Sequence, residues 1–192
     1  MKNRCQWANG VYKDYLDYHD SEWGVPVHDD KVLFEFLTLE GAQAGLCWIT
    51  ILKKRQGYAE AFSEWDFEKV ALYDEQDIQD LIMNPNIVRN KLKIRSTVTN
   101  AQHFIKVIET HGSFDAYLWS FVSGQPIDNN FETLAEVPAK TELSDKLSKD
   151  LLKKGFKFVG STIVYAYMQA VGLVNDHTVD CFRHNQILDL RS

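Results

Sequence analysis

Three groups of residues in the 192-residue chain have types and spacing that could do chemistry. The first is a set of two thiols and two imidazoles, Cys5, His19, His177 and Cys181. Such a set suits tetrahedral zinc, and four protein ligands leave no open position for water. A zinc there would be structural and would join the N- and C-terminal regions. His177 and Cys181 are four residues apart, so on one helical turn they would face the same way. There is no compact Cys-x-x-Cys pair, so four unrelated residues also fit the spacing. The second group is aromatic: Trp7, Tyr15, Tyr18, Trp23 and Trp48, with one acid, Glu40, in the otherwise uncharged stretch Leu37–Trp48. Flat rings can stack on a nucleobase, and their faces attract a cationic one. A lone carboxylate in such a stretch is either turned to water or kept for a task. For any single ring, core packing is the ordinary alternative. The third group is a helix, a tight turn and a helix: Glu75–Met83, Asn84–Val88 and Arg89–Thr110. A helix N-terminus with free N–H groups can hold a phosphate without reading a base, and Arg89, Lys91 and Lys93 would add charge. An ordinary helical corner is the alternative.

The elements that must position these groups read as helix nearly throughout, so an all-α protein is expected. Lys31–Ala44 forms a first long helix that Asp29 or Asp30 can cap. A second runs from Trp48 to about Phe62, weakened by Gly57. Short helices follow at Phe67–Leu72 and Glu75–Met83, with a breaker at Asn84-Pro85-Asn86. Ile94, Val98, Ala101, Ile105 and Ile108 recur at helical spacing, predicting one amphipathic helix from Arg89 to Thr110. Ser113 can cap a helix through Phe121, and Ser123–Thr141 reads as an irregular connection. Helices at Leu143–Lys154 and Ser161–Val171 end at glycines. No strand alternation is evident. Cys47 reads as a small buried residue rather than a nucleophile, since no base can be paired with it.

Composition bounds the rest. Net charge is -6, which disfavours coating nucleic acid through a general positive field but not a local basic face. Three cysteines and no basic-then-apolar start predict reduced thiols and a cytoplasmic location. No stretch is long enough to span a bilayer.

Several ordered segments carry a resemblance. They are Arg4-Cys5-Gln6-Trp7, Tyr18-His19-Asp20-Ser21-Glu22-Trp23-Gly24, Leu39-Glu40-Gly41-Ala42-Gln43-Ala44-Gly45-Leu46-Cys47-Trp48 and Thr50-Ile51-Leu52-Lys53-Lys54-Arg55. Later come Lys153-Lys154-Gly155-Phe156-Lys157-Phe158-Val159-Gly160, Met168-Gln169-Ala170 and Asn175-Asp176-His177. In order and spacing the chain resembles the family of 3-methyladenine DNA glycosylase I. The resemblance implies a helix-hairpin-helix glycosylase fold, divided into a hairpin lobe over about residues 31–115 and a zinc-bearing lobe of residues 1–30 with 116–192, together one compact catalytic unit. It implies structural zinc on Cys5, His19, His177 and Cys181. Glu40 and Tyr18 would hydrogen-bond a flipped base, Trp48 would stack on it, and Tyr15, Trp7 and Trp23 would line the pocket. The Gly45-Leu46 corner would probe the gap in the duplex, with Ile87, Arg89 and Lys91 also at the DNA. The implied enzyme is a monofunctional glycosylase that releases 3-methyladenine from alkylated double-stranded DNA, with a monomer expected.

The sequence departs from the family at Cys47, where serine is usual, and at Asn84-Pro85-Asn86-Ile87, where the turn usually holds a glycine. The tail after Phe182 matches nothing. Two other classes fit parts of the chain. A non-catalytic DNA-binding protein would leave the acid and rings unexplained, and a zinc hydrolase would need an open coordination position.

Overall fold

In the computed structural model, which describes residues 2–8 and 12–190, the apolar periodicity becomes a succession of helices. They are α1 (Lys13–Ser21), α2 (Asp30–Gln43), α3 (Trp48–Leu52), α4 (Arg55–Ala61), α5 (Phe67–Val70), α6 (Glu75–Met83), α7 (Lys91–His111), α8 (Phe114–Ser120), α9 (Glu142–Lys153), α10 (Ser161–Ala170) and α11 (Phe182–Asp189). Helix α2 is central. Every residue from Leu33 to Ala42 is buried, as expected of a helix with neighbours on all sides. Helices α3, α7, α8 and α10 pack against it. Asp29 caps it by accepting from the Lys31 and Val32 amides at 2.9 and 3.1 Å. Among the described residues, no helix is long and apolar enough to cross a membrane.

Two expectations need correction. The helix expected from Trp48 to Phe62 is two helices, interrupted by a turn at Lys53–Lys54, where Lys54 is the N-cap of α4 at φ -103°, ψ -1°. Nothing in a lysine pair signals a break; the reason is tertiary. The turn lets Lys54 reach the Pro85 carbonyl at 2.6 Å and aims α4 at the α6–α7 turn. The connection at Ser123–Thr141 contains a two-residue strand, β1 (Ile127–Asp128), which pairs in parallel with β2 (Val174–Asn175). A pair this short has no period to read. The unplaced tail forms α11.

One close approach fixes the wall of the site. Gly172 has φ +74°, and a Cβ there would stand 2.5 Å from the Val25 and Pro26 backbone. The segment after α1 is thereby laid on the end of α10, with Gly24 N–H donating to Gln169 O at 3.0 Å and Val27 N–H to Val171 O at 3.1 Å. Trp23 sits at the start of this segment.

Candidate active site

Helix α2 carries two buried carboxylates with different surroundings. Glu35 accepts from Arg55 Nε at 2.7 Å, and Arg55 also donates to Glu22 at 2.7 Å. Glu40, only 4% exposed, has no ion-pair partner among the described residues and lines a cavity of 380 Å³. Burial pushes its carboxyl up to about 8, so in the free protein near pH 7 it is mostly protonated. A cation entering the cavity would favour the carboxylate. Holding a carboxyl buried without a partner is costly, which makes Glu40 a candidate functional residue.

The expected rings stand around this carboxyl. Tyr15, Tyr18, Trp7, Trp23 and Trp48 all line the cavity. Tyr18 and Trp48 are neighbours, with ring centroids 5.4 Å apart and planes tilted by 51°. Trp7 meets Tyr15 edge-on at 5.6 Å and Trp23 at 5.0 Å, forming the opposite wall. Burial, then the nearby Glu40, raises the Tyr18 phenol well above its usual range, so it stays a neutral donor. The buried indole N–H of Trp48 has no acceptor among the described residues. Sequence reasoning missed Gln43, Tyr165, Gln169 and Asp176 on the same cavity. Asp176 is buried and accepts from Tyr165 Oη at 2.6 Å, Gln169 Nε2 at 2.7 Å and Asn129 Nδ2 at 2.8 Å. The available signal was a charge two residues after the apolar run ending at Val174.

Behind the Trp7–Trp23 wall, Cys5, His19, His177 and Cys181 converge. All four are buried, with ligand atoms within 4.8 Å of one another. Cys5 Sγ and Cys181 Sγ each lie 3.5 Å from His177 Nδ1, and Cys181 Sγ lies 3.5 Å from His19 Nε2. A tetrahedral ion bound at roughly 2.3 Å to sulfur and 2.05 Å to nitrogen requires an S···N edge of about 3.55 Å. The residues fit such a group. Their orientation is also fixed from outside: His19 Nδ1 meets Asp20 at 2.8 Å, Arg4 holds Asp20 at 2.8 and 2.7 Å, and His177 Nε2 donates to Trp23 O at 2.9 Å. The Arg4 guanidinium keeps the Asp20 carboxyl at about 2, so it remains an anion beside His19. His177 and Cys181 do not share a helical turn as their spacing suggested. His177 lies in a bend before α11 and Cys181 is its N-cap, joined by a Cys181 N–H to Thr178 O bond of 2.8 Å.

The α6–α7 turn differs from its sequence reading in detail. Asn86 does not have a positive φ, so no glycine is needed there. The close approach is on the other side: a Cβ on Gly57 of α4 would run into the Asn86 carbonyl and stand 2.6 Å from Asn86 Cβ. The α7 N-terminus is not free either, because Asn90 Oδ1 accepts from the Leu92 and Lys93 amides at 3.0 and 3.2 Å. Asn86 N–H and Val88 N–H donate to Asn84 Oδ1 and Tyr58 Oη. The Ile87 and Arg89 amides have no acceptor among the described residues. Ile87 as a whole residue is only 1% exposed and packs into the core, so it supports the turn from beneath rather than offering a surface to a ligand. Arg89 is exposed and has no ion-pair partner among the described residues, whereas Lys91 and Arg95 both pair with Glu75. Lys93 turns away from solvent to Ala42 O and Ala44 O at 2.7 and 2.6 Å.

Next to the cavity, residues 45–47 form an exposed corner. Gly45 has φ +77° with open space around it, and Leu46 is 38% exposed. Cys47 is exposed on this corner, not buried, because it caps the start of α3 outside the core.

A methyladenine glycosylase family model matches residues 7–184. The chain is 48% identical over 180 residues to DNA-3-methyladenine glycosylase 1 of Escherichia coli, spanning 93% of this chain and 95% of that protein. A crystal structure of 3-methyladenine DNA glycosylase I superposes with a TM-score of 0.91 at 46% identity, over 95% of this chain and 100% of that one. Another, of a variant in complex with 3-methyladenine, has a TM-score of 0.91 at 41% identity, over 94% of this chain and 96% of that one.

Proposed function

The chain belongs to the methyladenine glycosylase family and is a DNA glycosylase; from that premise we propose that it flips 3-methyladenine out of alkylated duplex DNA and hydrolyses the bond joining it to the sugar. The observation that carries the reading is the buried carboxyl of Glu40, without an ion-pair partner among the described residues, on a cavity that the rings of Tyr18 and Trp48 also line. The relatives are named for 3-methyladenine, and one solved relative holds that base.

The substrate base is cationic. Its charge draws Glu40 to the carboxylate form, which accepts hydrogen bonds from the adenine edge. Trp48 and Tyr18 stack on a ring whose positive charge strengthens the contact. Flipping costs a few kcal/mol, which these contacts offset. The bond from C1′ to the base breaks with its electron pair moving to the base, which leaves neutral. Water oxygen bonds to C1′ and gives up a proton. Unmodified adenine lacks the positive charge and is a poor leaving group. Among the described residues no lysine lines the cavity, which supports hydrolysis without a Schiff base or strand cleavage.

Zinc on Cys5, His19, His177 and Cys181 would serve structure, holding the Trp7–Trp23 wall. Helices α6 and α7 act as a helix-hairpin-helix element, with Arg89 and its amide meeting phosphate, Ile87 anchoring the DNA-facing turn from the core side and Lys91 adding charge. The Gly45-Leu46 corner enters the gap left in the duplex. The two lobes follow the division given above, and its outer limits, residues 1 and 192, lie outside the described residues. The enzyme works as a cytoplasmic monomer. The test is incubation with methylated duplex DNA followed by identification of the released base: free 3-methyladenine is expected, and its absence would remove the reading.

A further inference from the structure

Lysine 93 was expected to meet phosphate, yet its ammonium lies elsewhere. It is the third residue of α7, and its side chain crosses to the end of α2. There Nζ donates to Ala42 O at 2.7 Å and Ala44 O at 2.6 Å. These are carbonyls at a helix C-terminus, where intrahelical donors run out and a cation is favoured. The same turn is closed by Gln43 Nε2 donating to Leu46 O at 3.0 Å and by Leu46 N–H donating to Gln43 O at 2.7 Å. Lys93 therefore joins the start of the helix that faces DNA to the corner that carries Gly45 and Leu46. We infer that Lys93 is a positioning residue: it locks the Gly45-Leu46 corner to α7, so that engagement of the duplex by the α6–α7 turn places Leu46 in the gap beside the emptied base stack. This rests on the glycosylase reading.

Two alternatives differ in what they predict. A phosphate-binding lysine would contribute to the salt dependence of duplex binding, roughly 0.9 in slope per contact. A lysine that merely stabilises α2 would disturb Glu40 and weaken binding of the free base. The experiment compares Lys93→Met, Lys93→Arg, Leu46→Ala and the double variant K93M/L46A. Its readouts are kcat/KM on methylated duplex, the salt slope of duplex binding, and calorimetric affinity for free 3-methyladenine. K93M is expected to lower kcat/KM about tenfold, with the salt slope unchanged and free-base affinity within about twofold. K93R, which keeps a donor for both carbonyls, is expected to recover most of the loss. In the double variant, K93M is expected to add no more than about twofold to the effect of L46A, since both act through one corner. Losses that multiply in the double variant, a salt slope reduced by about one contact, weakened free-base binding, or unchanged kcat/KM would each overturn the inference. If the unaltered enzyme released no base while binding duplex normally, the glycosylase reading itself would fall.

Discussion

At the residue scale, α2 carries one buried acid that is paired and one that is not. Glu35 is neutralised by Arg55, and Glu40 is left alone facing a cavity. Glu40→Gln should lower excision of 3-methyladenine by at least about a hundredfold, a typical loss for a group that stabilises charge in the reacting complex. Near-normal excision by E40Q would remove the assigned role. The same substitution should not destabilise the fold. The folded carboxyl titrates at about 8 against an ordinary value of 4.5, so the folded state holds a proton that the unfolded chain releases. Stability from this group is full below about 4.5 and is lost as pH rises through about 8. E40Q stays neutral, so its thermal midpoint should gain on the unaltered protein as pH rises from 5 to about 9, as scanning calorimetry would show. In kinetics, kcat/KM on methylated duplex should climb toward a midpoint near 8 as the free site gives up its proton, and E40Q should lose that climb. Glu40 was legible as a lone charge in an apolar stretch. The pairing of Glu35 was not, because Arg55 lies twenty residues on and only the packed fold brings it near. Cys47 misled for the opposite reason: residue type suggested the core, but its neighbours Gly45 and Leu46 push the corner outward.

At the scale of elements, most helices were legible from apolar period and caps, and α6 matched its expected limits at both ends. What the sequence concealed was how α4 supports the α6–α7 turn. Lys54 holds Pro85, Tyr58 holds Val88, and Gly57 lets the turn at Asn86 come into backbone contact. None of this has a period or motif, since each contact spans about thirty residues. Gly57→Ala should push the turn away. The expected cost is about 1–3 kcal/mol of stability, typical of overpacking a tight contact. Affinity for duplex DNA should fall while affinity for free 3-methyladenine holds. Equal loss of both in binding titrations would show that α4 supports the base pocket rather than the hairpin.

At the scale of the whole molecule, the convergence of Cys5 and His19 with His177 and Cys181 was legible only as a set of suitable ligands. The path that brings them together runs through the β1–β2 pair and the Gly172 contact, which leave no periodic trace. Protein purified without added metal should contain about one zinc per chain by elemental analysis, because four buried donors fill a tetrahedral shell. Chelation should lower the thermal midpoint and broaden Trp7 and Trp23 fluorescence together, since both rings pack against His19 or His177. No zinc with all four ligands intact would defeat the clasp. The clasp also orders events in time. Cys5 and His177 are separated by 172 residues, so a chain emerging from the ribosome at roughly 5–20 residues per second must wait about 10–30 s between them. Throughout that interval Trp23, against which Trp7 packs, has no imidazole of His177 to rest on. The cavity beside Glu40 is therefore among the last parts of the nascent protein to be completed, and a chain halted before residue 177 should release no base from methylated DNA.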